Sequence, residues 1–198
     1  MLRVRKVAEA RLPTRFGSFR ILGLEDKARG ESAVVLLKGN LARARAPLVR
    51  IHSQCLTGDV FGSLRCDCRA QLEMAMNQVS RAGAGVILYQ PQEGRGIGLM
   101  NKLMAYELQD RGMDTVEANR RLGFEADHRS YEFSAAVLKF LKLKTIRLLS
   151  NNPGKVAGLE AAGIRVIDRV PCEAVPSRRS RKYLRTKKEK LGHMLSRL

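Results

Sequence analysis

Tryptophan is absent from this 198-residue chain, and aromatic residues of every kind make up only 5% of it. The core must therefore rest on Leu, Val, Ile, Ala and Met, and a surface built for stacking nucleic-acid bases is poorly supplied. Only 6 prolines are present, too few for a proline-rich linker. No apolar run approaches the ~20 residues that a membrane-spanning helix needs. The opening MLRVRKVAEARLP carries charge without the apolar stretch of a secretory signal. These absences predict a soluble, cytoplasmic protein with no membrane partner. Acidic residues are also scarce, 19 against 37 Lys and Arg, for a formal net charge of +18. Such a field attracts polyanions, namely nucleic acid, nucleotides or anionic lipid, and charge alone does not choose among them.

Against these absences, 44% hydrophobic and 28% charged residues describe a globular chain of one domain, or one domain with a tail. The division expected is a domain over residues 1–175 and a basic tail over 176–198. Segments 17–24, 32–39 and 47–52 read as short strands separated by turns. From residue 70 the pattern is helical, with Leu72, Met76 and Val79 on one face of 70–80. A buried strand is expected at 84–90, a glycine-rich turn at 93–99, and helices at 99–112, 114–124 and 131–143. Strands at 145–150 and 164–170 flank a helix at 155–163. The fold class is therefore α/β: a mixed sheet flanked by helices, more antiparallel in the N-terminal half and βαβ-like in the C-terminal half. The run RRSRKYLRTKKEK (178–190) carries eight Lys or Arg and one Glu. It reads first as a solvated basic tail that can form a helix, and second as a polyanion-binding arm.

Three of the four cysteines, Cys55, Cys66 and Cys68, fall within a short segment. One intervening residue makes a poor disulfide, and thiols so grouped point to metal or catalysis. Three thiolates with an open fourth position is the arrangement of catalytic rather than structural zinc. There the metal would bring the pKa of water to roughly 7. His52 is a rival fourth ligand, and a lone strand histidine is more often simply hydrogen-bonded. Cys172 stands apart and reads as a structural thiol. EGRGIG (93–98) offers backbone N–H groups ahead of a helix, a form that suits phosphate but also serves as a plain turn. Tyr106 follows Leu99 and Leu103 at helical spacing, which alone reads as core, and Asp127 with Arg129 alone reads as a surface turn.

The segment HSQCLTGDVFGSLRCDC resembles the zinc signature of GTP cyclohydrolase II. The likeness continues through EGRGIGL, DTVEAN and LLSNNPGK in the same order over roughly residues 3–170. It implies Zn²⁺ on Cys55, Cys66 and Cys68, with Mg²⁺ accompanying the nucleotide phosphates. It implies GTP contacts from Arg50, Ile51, His52, Ser53, Gln54, Gln71, Glu93, Gly94, Arg95, Thr115, Ser150 and Lys155. Asp127 becomes the proton acceptor, Arg129 the group at the α-phosphate and Tyr106 a catalytic phenol. The implied reaction releases formate and pyrophosphate from GTP, the first step toward riboflavin, in a homodimer. Where the family usually has Glu, Thr, Gly and Lys, this chain has Gln54, Ser150, Arg69 and Gly154. A paralogue with altered purine substrate or a partial reaction, and a zinc-containing nucleic-acid-binding protein, stand as alternatives. Because the implied site residues end at Lys155, chemistry is expected to survive removal of residues 178–198.

Overall fold

A computed structural model describes residues 3–198. Seven strands form one sheet: β1 (Arg5–Thr14), β2 (Gly17–Asp26), β3 (Glu31–Lys38), β4 (Leu48–Ser53), β5 (Gly85–Gln90), β6 (Thr145–Leu149) and β7 (Arg165–Val170). Their spatial order is β1-β2-β3-β5-β4-β6-β7. The pairs β1–β2, β2–β3 and β3–β5 are antiparallel, whereas β4–β6 and β6–β7 are parallel. The mixed sheet with an antiparallel first half is thus the one expected. A strand ahead of residue 17 is not among those expected, yet residues 5–14 form β1. This edge strand is exposed along most of its length, and an edge strand dressed in charge resists pairing with other chains.

The chain divides into two compact units. The first comprises residues up to His52, Glu73–Pro91 and Ser130–Cys172; the second comprises Ser53–Leu72, Gln92–Arg129 and Glu173–Leu198. The first unit holds the sheet, most of α1 (Cys68–Arg81), and the helices α4 (Glu132–Phe140) and α5 (Pro153–Ala161). Its core joins Leu22, Leu24, Val35, Val49, Ile51, Val86 and Leu88 of the sheet to Phe133, Val137, Leu138 and Leu159 of the helices. Each such aliphatic side chain gains roughly 1.5–3 kcal/mol on full burial. Leu48 through His52 of β4 are all buried, the continuous run that a strand with parallel pairing and two covered faces requires.

The second unit is built on helices α2 (Leu99–Asp110), α3 (Thr115–Arg121) and α6 (Arg181–Leu191), with a π-turn at Leu56–Val60 and a 3-10 turn at Glu93–Gly96. Asp114 and Glu117 close a capping box at the start of α3, which satisfies orphan N–H groups there. α3 packs against α2 and α6. The basic run is not an arm solvated on all sides: α6 buries Leu184, Thr186 and Lys187 within this unit. Among the described residues no helix is long and apolar enough to cross a membrane.

Candidate functional site

In the second unit the π-turn and the start of α1 bring the three cysteines together. Their sulfurs all lie within 4.8 Å of one another, and Cys55 Sγ is 3.7 Å from Cys66 Sγ. Two thiolates on a tetrahedral zinc at ~2.3 Å stand about 3.8 Å apart, so this spacing fits the metal. Gly58 faces the cluster. A Cβ there would lie 2.9 Å from Cys66 Sγ, 3.1 Å from Cys55 Sγ and 3.1 Å from Cys68 Cβ, so only glycine leaves the cradle clear. The thiols share protons unequally. Donation from Cys66 and Cys68 holds the Cys55 thiol far below its usual range. Giving its hydrogen bond to Cys55 pushes the Cys66 thiol up to about 11, and the same bond raises Cys68. A thiolate is thus already favoured at one of the three positions.

A buried cation accompanies that thiolate. Lys102 Nζ on α2 lies 3.1 Å from Cys55 Sγ and 2.6 Å from Glu93 Oε1. Burial disfavours its charge, but Glu93 and Cys55 more than offset this and hold the ammonium above its ordinary pKa. Glu93 in turn accepts from the Leu56 N–H at 2.7 Å and the Gly94 N–H at 3.1 Å. Lys102 and Glu93 thereby tie the glycine-rich turn to the cysteine turn. Within that turn Gly94 and Gly96 have φ of +61° and +93°, where L-residues are strained. A side chain on Gly96 would also press on the His128 backbone at 3.3 Å. Arg95 itself sits at φ +62°, its carbonyl accepting from His128 N–H at 3.1 Å. Its Nη2 is buried with no hydrogen-bond partner. A buried guanidinium nitrogen without an acceptor is suited to an anionic or carbonyl oxygen brought by a ligand.

The three expected catalytic residues also lie in this unit. The Tyr106 hydroxyl is 3.1 Å from Thr57 Oγ1, which is 3.6 Å from Cys55 Sγ. The helical stripe that alone suggests a core position thus points a phenol at the cysteine turn; burial raises its pKa. Asp127 and Arg129 form a two-pronged pair, with Arg129 Nε 2.8 Å from Asp127 Oδ1 and Nη2 2.5 Å from Oδ2. Arg129 Nη1 also reaches Ser53 Oγ at 3.5 Å. Burial raises the Asp127 pKa, but the Arg129 bonds and charge outweigh it and leave the carboxyl below its ordinary value. In this closed pair Asp127 is a weak base.

The remaining expected contacts divide between the units. In the second, Ser53 Oγ donates to Gln92 Oε1 at 3.1 Å, Gln71 donates to Asp67, Gln54 is half-buried beside Cys55, and Thr115 opens α3. In the first, Arg50 Nη1 donates to the Leu149 carbonyl at 3.1 Å. Lys155 Nζ donates to the Ile51 carbonyl at 2.7 Å, while the Ile51 side chain belongs to the hydrophobic core. His52 stacks on Tyr89 at 5.4 Å, in keeping with a hydrogen-bonded or packed histidine rather than a metal ligand. Ser150 Oγ accepts from Asn152 N–H at 3.1 Å. Cys172 is fully buried in the first unit. Gly58, Lys102 and Asp67 escape the sequence reading. A glycine inside the cysteine segment and a carboxylate between two thiols were the available signals.

A family model of GTP cyclohydrolase II matches residues 5–171. The riboflavin biosynthesis protein RibBA of Endomicrobium trichonymphae is 51% identical over 195 residues, covering 98% of this chain and 48% of that protein. RibBA of Bacillus cereus is 51% identical over 193 residues, with 98% and 49% covered. The GTP cyclohydrolase-2 of Buchnera aphidicola is 50% identical over 190 residues, covering 96% of this chain and 98% of that one. The chain thus spans about half the length of the RibBA relatives and nearly all of the cyclohydrolase. Among solved structures, RibBX of A. baumannii, a two-domain 3,4-dihydroxy-2-butanone 4-phosphate synthase, superposes with a TM-score of 0.50 at 16% identity, over 86% of this chain and 40% of that one; this likeness concerns the fold alone. The family match and the near-full-length identity to the cyclohydrolase agree with the cysteine cradle, and the chain belongs to the GTP cyclohydrolase II family.

Proposed function

We propose that the chain is a zinc-dependent hydrolase that opens the imidazole ring of GTP. It would release formate and pyrophosphate and leave a diaminopyrimidine ribosylamino phosphate, the entry compound of riboflavin synthesis. The observation that carries this reading is the cradle of Cys55, Cys66 and Cys68 around Gly58, with sulfur spacing suited to zinc. When bound there, zinc supplies hydroxide at neutral pH and polarises a carbonyl oxygen. Purine C8 is a weak electrophile, which is why such a nucleophile is needed.

The chain's own groups do the rest. Tyr106, hydrogen-bonded to Thr57 beside Cys55, is placed to pass a proton to a ring nitrogen of the base. Arg95 Nη2 takes an acceptor oxygen of the nucleotide. Arg129 leaves Asp127 to meet the α-phosphate, where its charge stabilises the transition state. Freed of that cation, Asp127 regains the basicity that its burial favours and accepts a proton. Arg50, Ile51, His52, Ser53, Gln54, Gln71, Glu93, Gly94, Thr115, Ser150 and Lys155 complete the proposed GTP contacts, with Mg²⁺ on the phosphates. A cytoplasmic homodimer belongs to the same proposal. The exposed apolar side chains of Phe61, Leu64, Met100, Leu103 and Met104 in the second unit are surface that a second copy would cover; light scattering tests it.

The decisive assay incubates the purified protein with GTP and measures formate, with and without a chelator and after zinc is returned. Zinc-dependent formate release is expected. A zinc-loaded protein that makes none from GTP would sink the proposal, and ATP and ITP run alongside show whether Gln54 has shifted the base preference.

A further inference from the structure

α6 lies beyond the residues matched by the family model, and its composition is that of a solvated helix. Among its buried residues only Leu184 is aliphatic; Thr186 and Lys187 are the others. Burying an ammonium is costly unless it is paired, and such pairs are better explained by placement than by stability. Lys187 Nζ lies 3.2 Å from Asp67 Oδ1, with the two side chains only 10% and 6% exposed. Asp67 stands between Cys66 and Cys68, and its other oxygen accepts from Gln71 at the start of α1. One turn earlier on the same face of α6, Tyr183 lies 4.4 Å from Lys187 Nζ and 5.8 Å from the Arg95 guanidinium. Lys190 pins the helix to α3 through Asp114 and Glu117, and Lys182 Nζ meets the Gly112 carbonyl at 3.3 Å.

We propose that α6 is a clamp on the metal turn, with Lys187 as the positioning residue that holds the Cys66–Asp67–Cys68 segment and Tyr183 as the wall behind Arg95. The physical need is local. Three thiolates and Asp67 crowd negative charge into two adjacent turns, and zinc offsets only part of it. Without Lys187 the Asp67 carboxylate is buried and uncompensated. The segment then relaxes toward water, and the sulfurs at its two ends leave the spacing that zinc requires. On this proposal removal of residues 178–198 loosens the metal turn, an outcome opposite to the one expected from the position of the implied site residues.

The inference rests on the zinc reading above, so its test includes a metal-free measurement. Full-length wild type, Lys187→Met, Lys187→Arg, Lys187→Met combined with Asp67→Asn, and Lys188→Met as control are compared. Zinc affinity is read by competition with a chromogenic chelator. Hydrogen exchange of the peptide over 63–71 is read by mass spectrometry on zinc-free protein. Lys187→Met is expected to weaken zinc binding at least about tenfold and to speed exchange over 63–71 by a similar factor. Lys187→Arg should restore most of both, the double variant should recover part of the loss, and Lys188→Met, at an exposed position of α6, should match wild type. Unchanged exchange and zinc affinity in Lys187→Met would overturn the clamp and leave the zinc reading standing. Wild type that takes up no zinc, with faster exchange in Lys187→Met, would refute the zinc reading and keep the clamp on the turn.

Discussion

Replacing Gly58 with alanine tests the metal cradle with a single methyl group. The new Cβ would stand 2.9 Å from Cys66 Sγ and 3.1 Å from both Cys55 Sγ and Cys68 Cβ. Ordinary non-bonded contacts of carbon lie at about 3.5–4.0 Å, so each neighbour must give by roughly half an ångström. Metal ligands tolerate displacements of only about 0.2 Å. In the zinc-free protein the cysteines can turn aside, and alanine in a helical turn gains up to about 1 kcal/mol over glycine. The cost therefore falls on the loaded state. Overpacking of this kind costs about 1–3 kcal/mol, which is a loss of roughly 5- to 150-fold in zinc affinity. Chelator competition measures that loss directly, and the melting temperature of zinc-free protein should hold or rise. A Gly58→Ala protein that binds zinc as tightly as wild type would show that the three sulfurs do not converge on the space in front of Gly58.

Three further outcomes follow from the same geometry. Cys66→Ser should lose zinc and formate release but keep pyrophosphate release, whereas Arg129→Ala should lose pyrophosphate release, checked by paired product assays; unaltered rates of both products in Arg129→Ala would remove that residue from the mechanism. Asp127 has its folded pKa depressed by Arg129, so its contribution is present above the unfolded value of about 3.9 and is lost as pH falls through the lower folded value. Urea denaturation should therefore show wild type more stable than Asp127→Asn from about pH 5 to 7, the gap closing toward pH 3; a gap that widens on acidification would contradict the pairing. Lys102→Met strands the Glu93 carboxylate, 8% exposed, and should cost about 3–5 kcal/mol in equilibrium unfolding, with part regained by adding Glu93→Gln.

What the sequence showed and what it hid divide along the range of the interaction. Buried β5 and β6, the amphipathic stripes of α1 and α4 and the turn before α5 are written in neighbouring residues, so periodicity finds them. The cysteine set is legible because its members are close along the chain and share one chemistry. Lys102 is different. On α2 it is one polar residue among several, and its partner Cys55 lies 47 positions away, so no local pattern marks it as buried. α6 is the sharper case, because composition pointed the wrong way. Eight basic residues in thirteen predict a solvated face, and most of them are exposed, yet the Lys187 ammonium finds Asp67 across 120 positions. The usable clue lay at the other end of that pair. A carboxylate set between two cysteines of one cluster has little room to reach solvent, and a fold that keeps it buried must bring a cation to it. A chain of net charge +18 has many cations to offer and can export almost all of them to solvent. Of the few it keeps buried, Lys102 and Lys187 sit beside anions that need them, Glu93 and Asp67, which is why the search for the buried lysine of α6 begins at Asp67.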